Sequence, residues 1–338
     1  MLEKTNITEK QIADCLSARY GITAAEIAFL PIGYDASAWA YRVAAADGQC
    51  YFLKLRRGAT HTAPAAITRY LQAEGIRHVV APLPTVTGQL MAPLEGYTLL
   101  LYPWIEGRSG MDAGLTDDQW IAFGALVRQI HTKQLPADLT AAMTREDFVL
   151  RHNWEMFVRQ FSMTIQRQVY ASPYERELSR LWLAHVDEIV GIVERAERLG
   201  SLLRRRPPDF VLCHADIHTA NLIVAPDGQL HAVDWDQPIY APKERDLMFV
   251  VGPDATATRE ETLFFIGYGE TEIDALALAY YRAEWCVQEF VDFAKRVFLL
   301  DDVGDETKAD SVRGFEQLFA PGDVVEVAHK MARMAWLE

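Results

Sequence analysis

Two short apolar runs set among a fixed series of polar residues, between Val211 and Asp236, restrict this chain more than any other feature. The run Val211-Leu212-Cys213 ends at His214. Asp216 follows in a short loop, Asn221 closes that loop, and a second apolar run, Leu222-Ile223-Val224, begins at once. Asp227-Gly228 is a hairpin turn signal, so the chain returns through Leu230 to Val233 and presents Asp234 close to Asn221. Three oxygen-bearing side chains then converge from two strand ends. Moving a γ-phosphoryl group needs a carboxylate that orients the attacking hydroxyl and accepts its proton, with oxygen ligands for Mg²⁺ on the phosphates. Asp216 suits the first role, and Asn221 and Asp234 suit the second.

Taken singly, an Asp or Asn in a loop is an ordinary turn or capping residue. Together these residues match the catalytic-loop spacing H-x-D-x-x-x-x-N, with a metal-binding Asp after a β-hairpin. His218 and Cys213 fall inside the motif and read as structural.

The 338 residues are enough for one large or two modest domains, and a hydrophobic content of 50% is ample for a packed core. Met1 to Lys10 lacks an apolar secretory core and no stretch approaches the length of a membrane span, so a cytoplasmic protein without a membrane partner is expected. The four cysteines are far apart and form no C-x-x-C pair, which speaks against a disulfide framework or a zinc site. With 33 basic and 47 acidic residues the formal charge is −14, which excludes nucleic acid as the expected partner and favours a cationic ligand. A monomer is expected, with an oligomer left open.

Thr8 and Gln11 have capping-box spacing, and Ile12, Leu16 and Tyr20 follow at helical intervals to Gly21. Strand-like segments then run from Ile27 to Gly33, Ala38 to Val43 and Cys50 to Leu55, an antiparallel meander in which Lys54 lies opposite Leu53 and Leu55. The first turn, Gly33 to Ser37, can offer backbone N–H groups and a hydroxyl to phosphate, with Lys54 beneath it. A helix over 64–74 and strands at Val79–Ala81 and Tyr97–Tyr102 complete an N-terminal lobe, residues 1–102. The segment 103–107 reads as a hinge where the Pro103 carbonyl and the Ile105 N–H can meet adenine. Residues 108–338 are mostly helical, with capping-box spacing at Thr116 and Gln119 and helices over 147–168, 174–200, 258–269, 272–298 and a short one near the end. The fold class is therefore α+β.

These residues together resemble the aminoglycoside phosphotransferase family, which is kinase-like and includes choline and related metabolite kinases. The phrases His214 to Asn221, Val233-Asp-Trp-Asp-Gln-Pro and Ala241 to Phe249 are most similar to its spectinomycin phosphotransferase branch. The resemblance implies a bilobal protein-kinase-like fold, ATP as phosphoryl donor with GTP left open, and Mg²⁺. It implies Lys54 on the α- and β-phosphates, Ser37 and Gly33 in the phosphate loop, Asp216 as base, and Asn221 with Asp234 on metal. One departure stands out: Thr62-Ala-Pro-Ala-Ala-Ile67 has no Glu to pair with Lys54, and Glu74 is the only acidic residue near that helix.

No D-F-G or A-P-E follows the loop, and His218 replaces the lysine of protein-directed enzymes, so a small hydroxylated substrate is expected. Tyr281, Glu284, Trp285 and Asp292 recur at helical spacing and, with Asp236, are candidate contacts for a cationic ring. An aminocyclitol antibiotic, spectinomycin first, is the expected acceptor, with antibiotic resistance the consequence. A metabolite kinase acting on choline, an amino sugar or a hydroxylated amino acid is the alternative, and a non-catalytic nucleotide-binding protein a third.

Overall fold

The computed structural model describes residues 3–335 apart from positions 34, 36, 59, 255 and 302. The chain divides into two compact units. The first takes Met1–Thr144, His214–Tyr240 and Leu263–Gly269; the second takes Arg145–Cys213, Ala241–Thr262 and Glu270–Glu338.

The first unit opens on the helix Glu9–Tyr20. Thr8 accepts from the Gln11 N–H, the Gln11 side chain accepts from the Thr8 N–H, and Gly21 ends the helix at φ 68°. Strands β1 (Ala24–Leu30), β2 (Ala38–Ala45), β3 (Cys50–Arg57), β4 (Ala92–Leu94) and β5 (Tyr97–Pro103) form an antiparallel sheet in the order β1-β2-β3-β5-β4. Leu53 and Leu55 are fully buried on one face of β3, and strand alternation turns Lys54 to the other. The segment Val79–Ala81 is not a strand: it makes only an isolated bridge from Val79 to Ala232, because Pro82 and Pro84 follow and cannot donate to a ladder. Its expected place in the sheet is taken by β4, an edge strand that tolerates Pro93.

Strand β6 (Arg108–Ser109) pairs with Leu222–Val224, which pairs in turn with Leu230–Ala232. Gly107 permits that approach, since a Cβ there would lie 2.3 Å from the Val224 carbonyl oxygen. The helix Asp117–Thr132 begins with the capping box of Thr116 and Gln119 and buries Phe123, Val127 and Ile130. It packs closely on Leu263–Gly269, where Gly124 and Gly267 remove the side chains that would hold the two backbones apart.

The second unit is mainly helical. The helix expected over 147–168 begins only at Trp154, because His152 and Asn153 are left-handed at φ 53° and 55°, and after Thr164 it gives way to a 3-10 turn, Ile165–Arg167. The span 174–200 is two helices, Pro173–Ala184 and Val186–Arg205, separated at His185. Arg259–Tyr268, which from Leu263 onward belongs to the first unit, and Ala275–Phe298 follow the expected spans closely. Near the end there are two helices, Asp305–Gln317 and Val324–Ala335, where one was expected. Trp182 stacks on Phe315 at 5.6 Å and Phe290 on Phe319 at 5.7 Å within the core these helices enclose. Among the described residues no helix is long and apolar enough to cross a membrane.

Candidate functional site

The loop after Val211–Cys213 is shaped by His214, which is buried. Its Nδ1 accepts from the Asp216 N–H at 3.3 Å, so the ring proton sits on Nε2 and is donated to the Val233 carbonyl at 2.9 Å. The ring also lies 4.4 Å from Trp235. One imidazole thus ties the backbone of Asp216 to the residue just before Asp234. Ala215, between His214 and Asp216, is held at φ 76°, a conformation costly for a residue with a Cβ.

Asn221 ends a short 3-10 turn capped by His218, whose Nδ1 accepts from the Ala220 N–H at 3.2 Å. The Asn221 amide donates to the Asp216 carbonyl at 2.8 Å and to its Oδ2 at 3.0 Å. The other carboxylate oxygen, Oδ1, is 3.4 Å from His218 Nε2. The hairpin forms as expected, with Gly228 at φ 85° and the Val233 N–H donating to the Asn221 carbonyl at 3.0 Å. Asp216, Asn221 and Asp234 therefore belong to one connected backbone arrangement. Asp234 is itself left-handed at φ 63°, a position an Asp tolerates better than most residues.

Lys54 does not lack a partner. Its Nζ lies 2.6 Å from Asp234 Oδ1 and 2.6 Å from Asp236 Oδ2. Burial alone would lower the Lys54 pKa, but the two carboxylates more than reverse this and hold it above the ordinary lysine value. Asp234 keeps 44% of its side chain exposed; the protein crowded around it would raise its pKa, but Lys54 holds it below the ordinary carboxylate value. Arg56, two residues along β3, also contacts Asp236 and reaches Asp35 Oδ2 at 3.1 Å. Asp35 Oδ1 accepts from the Ser37 N–H at 2.7 Å and from its hydroxyl at 2.6 Å. Gly33 is at φ 82°, while Tyr34 and Ala36 of the same turn lie outside the described residues. Glu74 is engaged elsewhere, 2.7 Å from Lys133.

Pro103 stands opposite Tyr51, and the next residue, Trp104, donates its N–H to the Cys50 carbonyl at 3.3 Å. That places Pro103 at a non-hydrogen-bonded position, where a residue without an N–H loses nothing and its carbonyl points away from β3. Ile105 follows in the irregular segment before β6.

The remaining predicted contacts belong to the second unit. Tyr281 and Glu284 are 0% and 1% exposed, while Trp285 and Asp292 are half-buried. Two members of the helix face assigned to a ligand are thus interior. Glu284 lies near Arg151 and Arg245 at 3.8 and 3.7 Å. Burial, and then Glu284, raise the pKa of the neighbouring Glu146 carboxyl. Trp285 packs edge-on to Phe249 at 5.2 Å. Cys213 is buried, its thiol 3.6 Å from the Ala241 carbonyl, and burial pushes its pKa up. Sequence reasoning missed the contact of His218 with Asp216, the double tie made by His214, and Arg56. The first two were visible as histidines within the motif; nothing in the spacing marks Arg56.

The model of the phosphotransferase enzyme family matches residues 27–285. Protein StrN of Streptomyces griseus is 23% identical over 276 residues, covering 79% of this chain and 78% of that protein. The crystal structure of spectinomycin phosphotransferase, APH(9)-Ia, in complex with ADP and spectinomycin has a TM-score of 0.85 and 28% identity, covering 97% of this chain and 99% of the other. Amicoumacin kinase hAmiN, with a TM-score of 0.60 and 18% identity over 94% of this chain and 95% of its own, shares the fold.

Proposed function

Because this chain belongs to the phosphotransferase enzyme family, we propose that it transfers the γ-phosphoryl group of ATP to a hydroxyl of an aminocyclitol antibiotic, spectinomycin first, and so confers resistance. The observation that carries this reading is the hydrogen-bonded set of Asp216, Asn221 and Asp234, with Lys54 on the last of them. It is supported by the likeness to a structure that holds ADP and spectinomycin over nearly the whole of both chains.

In this reading Asp216 orients the acceptor hydroxyl and takes its proton as the oxygen attacks the γ-phosphorus. The bond from that phosphorus to the β-γ bridging oxygen breaks, and ADP leaves. Asn221 and His218 hold the two carboxylate oxygens in place. Asn221 and Asp234 are hard oxygen donors suited to Mg²⁺: the Asn221 NH₂ is spent on Asp216, which leaves its carbonyl oxygen as the donor. Mg²⁺ when bound neutralises phosphate charge. Lys54 binds the α- and β-phosphates, Gly33 and Ser37 lie along the phosphate chain, and the Pro103 carbonyl and Ile105 N–H meet the adenine edge, with 103–107 the hinge between residues 1–102 and 108–338.

The test is ADP release from Mg-ATP by the purified protein, measured against spectinomycin, aminoglycosides, choline, ethanolamine and amino sugars. Turnover is expected with spectinomycin and not with the metabolites. A preference for choline or an amino sugar would replace this substrate assignment with a metabolite kinase.

A further inference from the structure

The chain lacks the helix carboxylate that a strand lysine of this kind would use, and the fold supplies another. The Ala63–Ala73 helix turns Pro64, Ala65 and Thr68 toward a cavity of about 190 Å³ that Arg56, Trp235 and Asp236 also line. None of these helix residues carries charge, so the helix has nothing to offer Lys54 from that side. Instead Lys54 shares its ammonium between two carboxylates that follow the hairpin, at 2.6 Å each. They are not equivalent. Asp234 is the oxygen donor that a metal would claim, and its side chain is 44% exposed; Asp236 is 21% exposed and is held a second time by Arg56. Arg56 continues to Asp35, and Asp35 to the N–H and hydroxyl of Ser37. Asp234, Lys54, Asp236, Arg56, Asp35 and Ser37 thus form one unbroken chain of ion pairs and hydrogen bonds, from the metal-ligand candidate to the phosphate loop.

We propose that Asp236 is the standing carboxylate partner of Lys54, in place of a helix glutamate, and that Arg56 couples this carboxylate to the phosphate loop. The proposal rests on the kinase reading above. When metal and nucleotide draw on Asp234, Asp236 remains to aim the ammonium. The charges agree: once Asp234 is committed to metal, Asp236 and Asp35 are the two carboxylates left against the two cations Lys54 and Arg56. Asp236 is then a positioning residue acting through Lys54, and not a contact to the acceptor.

The test is a double-mutant cycle read by titrating a fluorescent ATP analogue in the presence of Mg²⁺, which needs no acceptor and is independent of the substrate assignment. Lys54→Met and Asp236→Asn are each expected to weaken binding by about 10- to 100-fold, the range of a charged hydrogen bond. The double variant should be no weaker than Lys54→Met alone, and Asp236→Glu should restore part of the affinity. If Asp236→Asn does not fold, Arg56→Gln reads the same chain, since it leaves both Lys54 contacts in place and should still weaken the nucleotide. Losses that multiply in the double variant would overturn the proposal. So would unchanged or tighter binding by Asp236→Asn, or by Arg56→Gln where it stands in, since the carboxylate would then be a bystander or a competitor of phosphate. A wild-type protein that does not bind Mg-nucleotide would remove the kinase reading and this inference with it. Failure on spectinomycin alone would leave the cycle intact.

Discussion

Replacing His214 with leucine keeps a buried side chain of similar size and removes both ring nitrogens, so its cost is set mainly by hydrogen bonds and not by a cavity. Two are lost, from the Asp216 N–H and to the Val233 carbonyl. At about 1 kcal/mol each, with about 1 kcal/mol more for the ring contact with Trp235, His214→Leu should destabilise the protein by about 3 kcal/mol. The functional effect should be larger than the loss of folded protein. Without the tie, the left-handed backbone at Ala215 is free to relax, and Asp216 and Asp234 lose their common reference. A displacement of about 1 Å in a reacting group is enough to cost on the order of 100-fold in rate. Urea denaturation gives the first quantity. ADP release under conditions where the variant is fully folded gives the second. A variant within about 0.5 kcal/mol of wild type, the range of an ordinary surface substitution, would refute the claim that His214 holds the loop.

Further expectations concern the rest of the molecule. Asp216→Ala should abolish ADP release while leaving titration with the ATP analogue nearly unchanged; near-normal turnover would remove Asp216 as the base. Gly267→Ala would place a Cβ 1.8 Å from the Ile121 carbonyl oxygen, and backbone cannot yield as a side chain can. It should destabilise by about 3 kcal/mol or more despite the helix propensity gained, measured by thermal melting. Glu146 is a carboxyl whose folded pKa is raised, so it favours the fold when protonated, below its unfolded value, and that contribution is lost as pH rises through the folded value. Glu146→Gln should accordingly raise the melting temperature relative to wild type at pH 8, with the difference shrinking toward pH 4. The Lys54–Asp234 pair has the opposite signature at its two ends. Its stabilisation should persist through neutral pH and be lost only as pH falls through the depressed Asp234 value or rises through the elevated Lys54 value. A Lys54→Met stability deficit that varies between pH 6 and pH 9 would contradict it.

The two capping boxes, the Gly21 stop, the Asp227-Gly228 hairpin and the alternation that sets Lys54 apart from Leu53 and Leu55 were all legible in the sequence. Each depends on residues within a few positions of one another. The sequence was misleading where local pattern continues across a change of direction. Helical periodicity runs through His185 and into the left-handed residues His152 and Asn153 without a proline or glycine to mark the break. At Val79–Ala81 an apolar run looks like a strand, yet it cannot continue one into Pro82 and Pro84.

The chemistry divides along the same line. The sequence alone brought Asp216, Asn221 and Asp234 together, because the loop and hairpin joining them are short and their turn residues dictate the path. The partner of Lys54 could not be found that way: Asp234 lies 180 positions further on, and the expected acidic helix residue is absent. The face that spacing assigned to a ligand also depends on what packs against it, and there Tyr281 and Glu284 prove to be interior. Spacing determines what one segment can present. Which charges meet, and which polar residues are shut away from water, is decided only when distant segments are brought together.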